Sequence, residues 1–178
     1  MSKPRFLVLA CMILAAAASR LLPHPPNVAS ITAVALFGGA YLSDRRLAFF
    51  IPLTALFLSD LILGFYSHMW VVYGSFALVV CVGFLLRMRR TPLAIAGAAL
   101  ASSILFFVIT NFAVWVFGSL YPKTMQGLLA CYLAAIPFFQ NTLLGDALYS
   151  TVLFGGFALV ERWWPALREP TLLQRQSV

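Results

Sequence analysis

Two acids stand inside apolar sequence, where an ionisable group is costly and seldom idle. Asp60 lies in Ser59-Asp60-Leu61-Ile62-Leu63-Gly64, and Asp146 in Asn141-Thr142-Leu143-Leu144-Gly145-Asp146. Three kinds of chemistry suit them: contact with a ligand, bracing of a neighbouring helix through groups such as Ser59, Thr142 or Tyr149, or coupling of transport to a proton or cation by the pair. The apolar segments offer no basic partner on the cytoplasmic half, so no proton relay is visible.

A second set of residues has the chemistry of organic-ligand recognition. The run Leu21-Leu22-Pro23-His24-Pro25-Pro26-Asn27 holds three prolines, which no helix can traverse, so His24 and Asn27 are presented on a stiff loop. Phe65-Tyr66-Ser67-His68-Met69-Trp70 leads into Tyr73, and Tyr121-Pro122-Lys123 forms a third connection. Asn111 and Trp115 are four residues apart and share one helix face. Gln140 and Asn141 follow Pro137. Singly, Tyr66, Trp70 and Tyr121 suit an interfacial aromatic belt. Together, rings that stack and amides that fix orientation suit a flat, partly polar molecule, with Asn27, Asp60, Tyr73, Asn111, Trp115, Gln140, Asn141 and Asp146 as candidate ligand contacts.

Catalytic and metal patterns are missing from the sequence. It has no HExxH, P-loop or GxGxxG, and no Ser/His/Asp grouping on matched elements, so the chain reads as a non-enzyme that cannot itself draw on ATP. Cys11, Cys81 and Cys131 show no CxxC spacing, which makes a small buried hydrophobe the default for each.

The elements that position these residues follow from hydropathy and charge. The 178 residues are 62% hydrophobic and 10% charged, where a soluble domain would carry about 25% charge. Apolar segments run at about 6–22, 28–42, 47–66, 69–86, 93–118 and 140–160. Lys3, Arg5, Arg45, Arg46, Arg87, Arg89, Arg90, Arg162, Arg168 and Arg175 all fall in alternate gaps; Arg20 and Lys123 are the exceptions. This positive-inside pattern predicts one all-α membrane domain, 1–178: a six-transmembrane-helix bundle with both termini cytoplasmic. Topology and anionic lipid then account for the net charge of +7, and nucleic acid is not needed as a partner.

Two segments depart from a simple span. The second has about 15 residues, roughly 22 Å of helix, and contains Gly38-Gly39. It is expected to cross incompletely or to pack very closely. The stretch 126–160 is too long for one span, and a short interfacial helix near 125–137 before the last span keeps the C-terminus cytoplasmic. The first 22 residues have the layout of a secretory signal, but an uncleaved first helix is favoured because the chain continues directly into the bundle. On that helix Cys11, Ala15 and Ser19, with the alanines at 15–18, form a small-residue face that suits close approach of another helix.

The run Arg20-Leu-Leu-Pro-His-Pro-Pro-Asn27, with Ala35-Leu-Phe-Gly-Gly-Ala40, Ser59-Asp60-Leu-Ile-Leu-Gly64, Thr110-Asn111-Phe112-Ala-Val-Trp115, Tyr121-Pro-Lys-Thr124 and Ile136-Pro-Phe-Phe-Gln-Asn141, resembles a family of small uncharacterised bacterial membrane proteins over residues 18–160. That family in turn resembles the substrate-binding S components of energy-coupling-factor (ECF) vitamin transporters, on six spans, the shared topology, a small-residue first helix and an outer loop leading into a Gly-Gly helix. The resemblance implies a vitamin bound near the outer surface, with cobalamin the best single ligand. It implies docking of the first helix, through Ala15, Ala18 and Ser19, to a transmembrane coupling subunit with two ATPases. The small-residue register here departs from a clean Ala-xxx-Ala, since Leu14 separates Ala10 from Ala18. In cobalamin-specific members a cysteine can ligate cobalt; Cys81 is the candidate, with His24 and His68 as alternatives. The rival readings are a structural or assembly protein without a ligand, and a proton- or ion-coupled carrier using Asp60 and Asp146.

Overall fold

The computed structural model describes residues 1–168, and among them every regular element is helical. Arg175 lies outside the described residues. Six helices follow the chain: α1 (Lys3–Ala18), α2 (Ile31–Tyr41), α3 (Arg45–Leu63), α4 (Met69–Leu85), α5 (Pro92–Phe117) and α6 (Met125–Ser150), which continues through a π-helical turn (Thr151–Gly155) into α7 (Gly156–Trp163) without a break. Four of these are long and apolar enough to cross a membrane: Lys3–Leu21, Arg45–Leu63, Pro92–Phe117 and Met125–Trp163. The protein is therefore a multi-pass membrane protein. α2 and α4 are apolar but shorter.

The ends of the helices are written in local chemistry. Thr91 and Thr124 accept hydrogen bonds from the backbone N–H of Ala94 and Gly127, and the Asp44 carboxylate accepts from Arg46 N–H at 2.7 Å, so α5, α6 and α3 each start on a side-chain cap. α3 stops at Gly64, whose φ of 95° most other residues would resist.

α2 is the centre of the fold. All eleven of its residues are buried, and at 1.5 Å per residue it measures about 16 Å, roughly half the hydrocarbon thickness. It packs against α1, α3, α4, α5 and α6. Glycines permit the closest of these approaches. A Cβ on Gly39 would collide with the Val80 carbonyl, and one on Gly83 with the Leu36 carbonyl at 2.5 Å, so α2 and α4 meet backbone to backbone. The expectation of a short, closely packed second helix is met. A full second span is not, because the chain from 22 to 30 is loop and the helix starts only at Ile31.

The short end of α2 is finished by arginines. Arg87 donates to Gly39 O (2.9 Å), Leu42 O (2.6 Å) and Ser43 O (3.4 Å), and Arg90 donates to Ala40 O (2.9 Å). These carbonyls are the ones a helix C-terminus leaves unpaired, and cations there also oppose the helix dipole. Arg5 is 1% exposed, lies 5.1 Å from the Phe157 ring centroid, and pairs with Glu161 at 2.5 Å while donating to Leu167 O. α1 and α7 are thereby joined at this basic end, over a cluster of Phe37, Tyr41, Phe154 and Phe157.

The last stretch corrects the sequence reading. No interfacial helix ends near 137. Met125–Trp163 runs as one 39-residue helix with Pro137 inside it. A proline removes one backbone donor without forcing a break when the remaining turns hold, and Thr142 binds back to Phe138 O at 3.1 Å. At about 58 Å this rod exceeds a bilayer of about 45 Å with headgroups, so it tilts or protrudes.

Candidate binding site

The end of the bundle opposite the basic one is roofed by the proline loop. Asn141 donates to Pro26 O at 2.9 Å, Ser30 donates to Ala16 O at 2.5 Å, and the bare backbone of Gly145 admits Ala29 N, which would stand 3.0 Å from an added Cβ. Asn27 turns the loop with φ 64°, a conformation asparagine tolerates better than most residues. These contacts fasten the loop to α1 and α6.

Under the loop lies a chamber of about 210 Å³, bordered by Arg20, Asn27, Thr32, Tyr66, Thr142 and Asp146 together with apolar groups. Arg20 sits in the 3₁₀ turn that follows α1 and pairs with Asp60 at 2.8 Å while donating to Ser59 Oγ. Tyr73 donates to the other Asp60 oxygen at 3.0 Å. Asp60 is 1% exposed and both its oxygens are occupied, so its charge is matched and its geometry fixed. Burial, and the Asp60 carboxylate beside it, push the Tyr66 phenol up to about 12, against a weaker downward pull from Arg20.

Asp146 is held differently. Ser103 of α5 donates to its Oδ2 at 2.6 Å, Thr32 of α2 stands close by, and no described cation pairs with it. Oδ1 is buried and accepts no hydrogen bond from the described residues. The same carboxyl also borders a second, larger space: a cleft of about 510 Å³ between α5 and α6, walled largely by apolar and small side chains, that runs from Asp146, Ser103 and Ser150 to Tyr41 and Arg90 at the basic end. Asp146 is thus a wall common to both spaces.

The candidate residues divide sharply. Asn27 and Asp146 border the chamber; Asp60 stands behind its Arg20 wall, and Tyr73 acts on Asp60. Asn111 donates to Phe107 O in its own helix. Trp115 donates to Pro122 O and, with Lys123, organises the loop before α6. Asn141 ties down the proline loop, and Gln140 is exposed. These four border neither space.

The cobalt candidates are separated from the chamber. Cys81 is exposed on α4, because Val79, Val80 and Gly83 form the face turned to α2, and it borders neither space. His24 is exposed with Nδ1 3.0 Å from Pro25 O, and His68 stacks on Phe117. Of the cysteines only Cys131 is buried; Cys11 and Cys81 are not, since each falls off the inward stripe of its helix. Among the described residues no three His, Cys, Asp or Glu side chains gather as a metal site. On α1, Ala15 and Ala18 face outward, whereas Ser19 is turned in and donates to the Tyr149 hydroxyl at 2.9 Å.

Sequence reasoning passed over Arg20, Ser103 and Ser150. Arg20 did carry a signal: an arginine beside an apolar helix, outside the positive-inside set, calls for an acid, and Asp60 is the one at matching depth. The two serines carried none, since small hydroxyls are ordinary in membrane helices.

The chain belongs to a family of unknown function, DUF6580, whose sequence profile it matches over residues 1–167. Comparison with curated proteins and with solved structures found no match.

Proposed function

We propose that the protein is a membrane-embedded binding and translocating subunit for a small organic molecule, in the manner of an S component. The positive-inside pattern supports a cytoplasmic basic end and an outward-facing proline loop, and the family resemblance supports a bacterial inner membrane. The observation that carries the reading is the roofed chamber, which offers a cation at Arg20, an amide at Asn27, a hydroxyl at Thr142 and an acid at Asp146 among apolar walls. A few convergent polar groups in an apolar setting are the usual form of a small-molecule site. At about 210 Å³ it lies below the ~300–1,000 Å³ of typical ligand pockets, so a small vitamin or precursor suits it better than cobalamin. The exposed Ala15 and Ala18 face leaves α1 open to a coupling subunit with its ATPases.

A second reading, a cation-coupled carrier, draws on the position of Asp146 between two spaces. Arg20 neutralises Asp60, so coupling would fall to Asp146 alone.

The test is a thermal-shift screen of detergent-purified protein against water-soluble vitamins and their precursors, followed by uptake of any hit into proteoliposomes. A true ligand raises Tm, and Thr142→Val weakens it several-fold. A panel that shifts nothing and is not taken up removes the translocating reading.

A further inference from the structure

The α5/α6 cleft is distinct from the roofed chamber and asks for a different occupant. Its middle is walled by apolar groups; Tyr41 and Arg90 border its basic end, and Asp146, Ser103 and Ser150 border the other, where Asp146 Oδ1 and Ser150 Oγ are buried without a hydrogen-bond partner among the described residues. Asp146 is 2% exposed and Ser150 5%. They are four residues apart on α6, hence neighbours on one face.

We propose that this cleft binds an amphipathic primary amine, its ammonium set between the Asp146 carboxylate and the Ser150 hydroxyl and its apolar body lying along Ile95, Ala99 and Phe154. Charge complementarity selects the head. Ser103 already occupies one carboxylate oxygen, and the other is left for a further donor; a cationic donor compensates the ionised acid at a depth where a lone ion is expensive. A primary ammonium has three donors, enough to serve Oδ1 and the serine together. A lipid acyl chain or a neutral alcohol would fill the walls and leave the carboxylate uncompensated; a fatty acid with its head at the Asp146 end would set two carboxylates together, and one turned toward Arg90 would leave Asp146 as it is. The tail follows from the lining and from a volume of about 510 Å³, within the range of pockets that enclose drug-sized ligands. The assignment concerns binding alone and stands whether or not the chain translocates a ligand in the other chamber.

Decylamine, 1-decanol and decanoate, matched in tail and differing in head, are the probes. Each is titrated by calorimetry into the full chain in non-ionic detergent, with Asp146→Asn as the charge variant. Both variants see the same micelle, so partitioning cancels in the comparison. Decylamine should bind the wild type at least ten-fold more tightly than decanol and more tightly still than decanoate. Asp146→Asn should erase the amine's advantage and leave decanol unchanged, and Ser150→Ala should weaken the amine several-fold. Ala96→Phe, on the exposed wall of the cleft, tests the tail without touching the acid: decylamine should lose more affinity than propylamine. Equal binding of amine and alcohol, an amine preference that survives in Asp146→Asn, or an Asp146-dependent rise in Tm with sodium chloride that the amine cannot compete away would each overturn the proposal.

Discussion

Removing Arg20 should hurt this protein more than removing the acid it serves. Asp60 is 1% exposed, and its side chain takes a guanidinium at 2.8 Å and the Tyr73 hydroxyl at 3.0 Å. In Arg20→Met the tyrosine remains but the counter-charge is gone, leaving a buried ion with one neutral donor. Breaking one side of a buried pair costs about 3–5 kcal/mol. At roughly 2–4 °C per kcal/mol for a chain of this length, Tm falls by roughly 6–20 °C. Asp60→Asn is milder. The amide still accepts from Tyr73, and the stranded Arg20 side chain is 15% exposed, so its head can turn toward water. The double variant Arg20→Met/Asp60→Asn should be more stable than Arg20→Met alone, with a coupling of about 1–3 kcal/mol in the cycle. The assay is thermal unfolding in a single detergent, followed by intrinsic fluorescence for all four proteins. If Arg20→Met lowers Tm by less than about 2 °C, or the double variant is no better than it, the pair is not holding α1 to α3 and the reasoning fails.

Gly39→Ala should destabilise by about 1–3 kcal/mol or prevent accumulation in the membrane, since overpacking at a backbone contact has little room to relax; a Tm equal to wild type would show that α2 and α4 are not so close. Arg87→Gln should cost about 1–3 kcal/mol by stripping donors from the carbonyls at the end of α2, with a smaller effect for Arg89→Gln, where the described contacts show no such role; equal losses in the two would reassign both to topology. Because the Tyr66 phenol is held up at about 12 against an ordinary 10.0, the folded state favours its neutral form. That contribution is complete below pH 10 and fades as pH rises toward 12, and Tyr66→Phe should flatten the loss of Tm over this window. An unchanged slope would place the alkaline sensitivity elsewhere.

The helices were legible because hydropathy is summed over many residues, and small errors in boundary do not alter it. The brevity of α2 could be read from 28–42 and its Gly-Gly pair. The continuity of 125–163 could not, because Pro137 breaks a helix in water far more often than in a bundle. Site residues fared worse for a different reason. Asn111, Trp115 and Asn141 have the chemistry of ligand contacts, yet the same groups serve equally well to tie loops and carbonyls, and only distance decides between these uses. Asp60 and Asp146 look alike in sequence. One meets an arginine 40 positions away and the other meets only hydroxyls, a difference that depends on how helices far apart in the chain come together.

The enclosure of α2 bears on how the protein is made. A segment this short, emerging from the ribosome alone, cannot bridge the membrane, and it has no side suited to lipid once the bundle is complete. Its arginine partners are not synthesised until some fifty residues later. Stable seating of α2 therefore waits on α3 and α4, and substitutions in the Arg87–Arg90 turn should act first on biogenesis, as a hairpin left at the surface and cleared by proteases, before they act on anything the mature protein does.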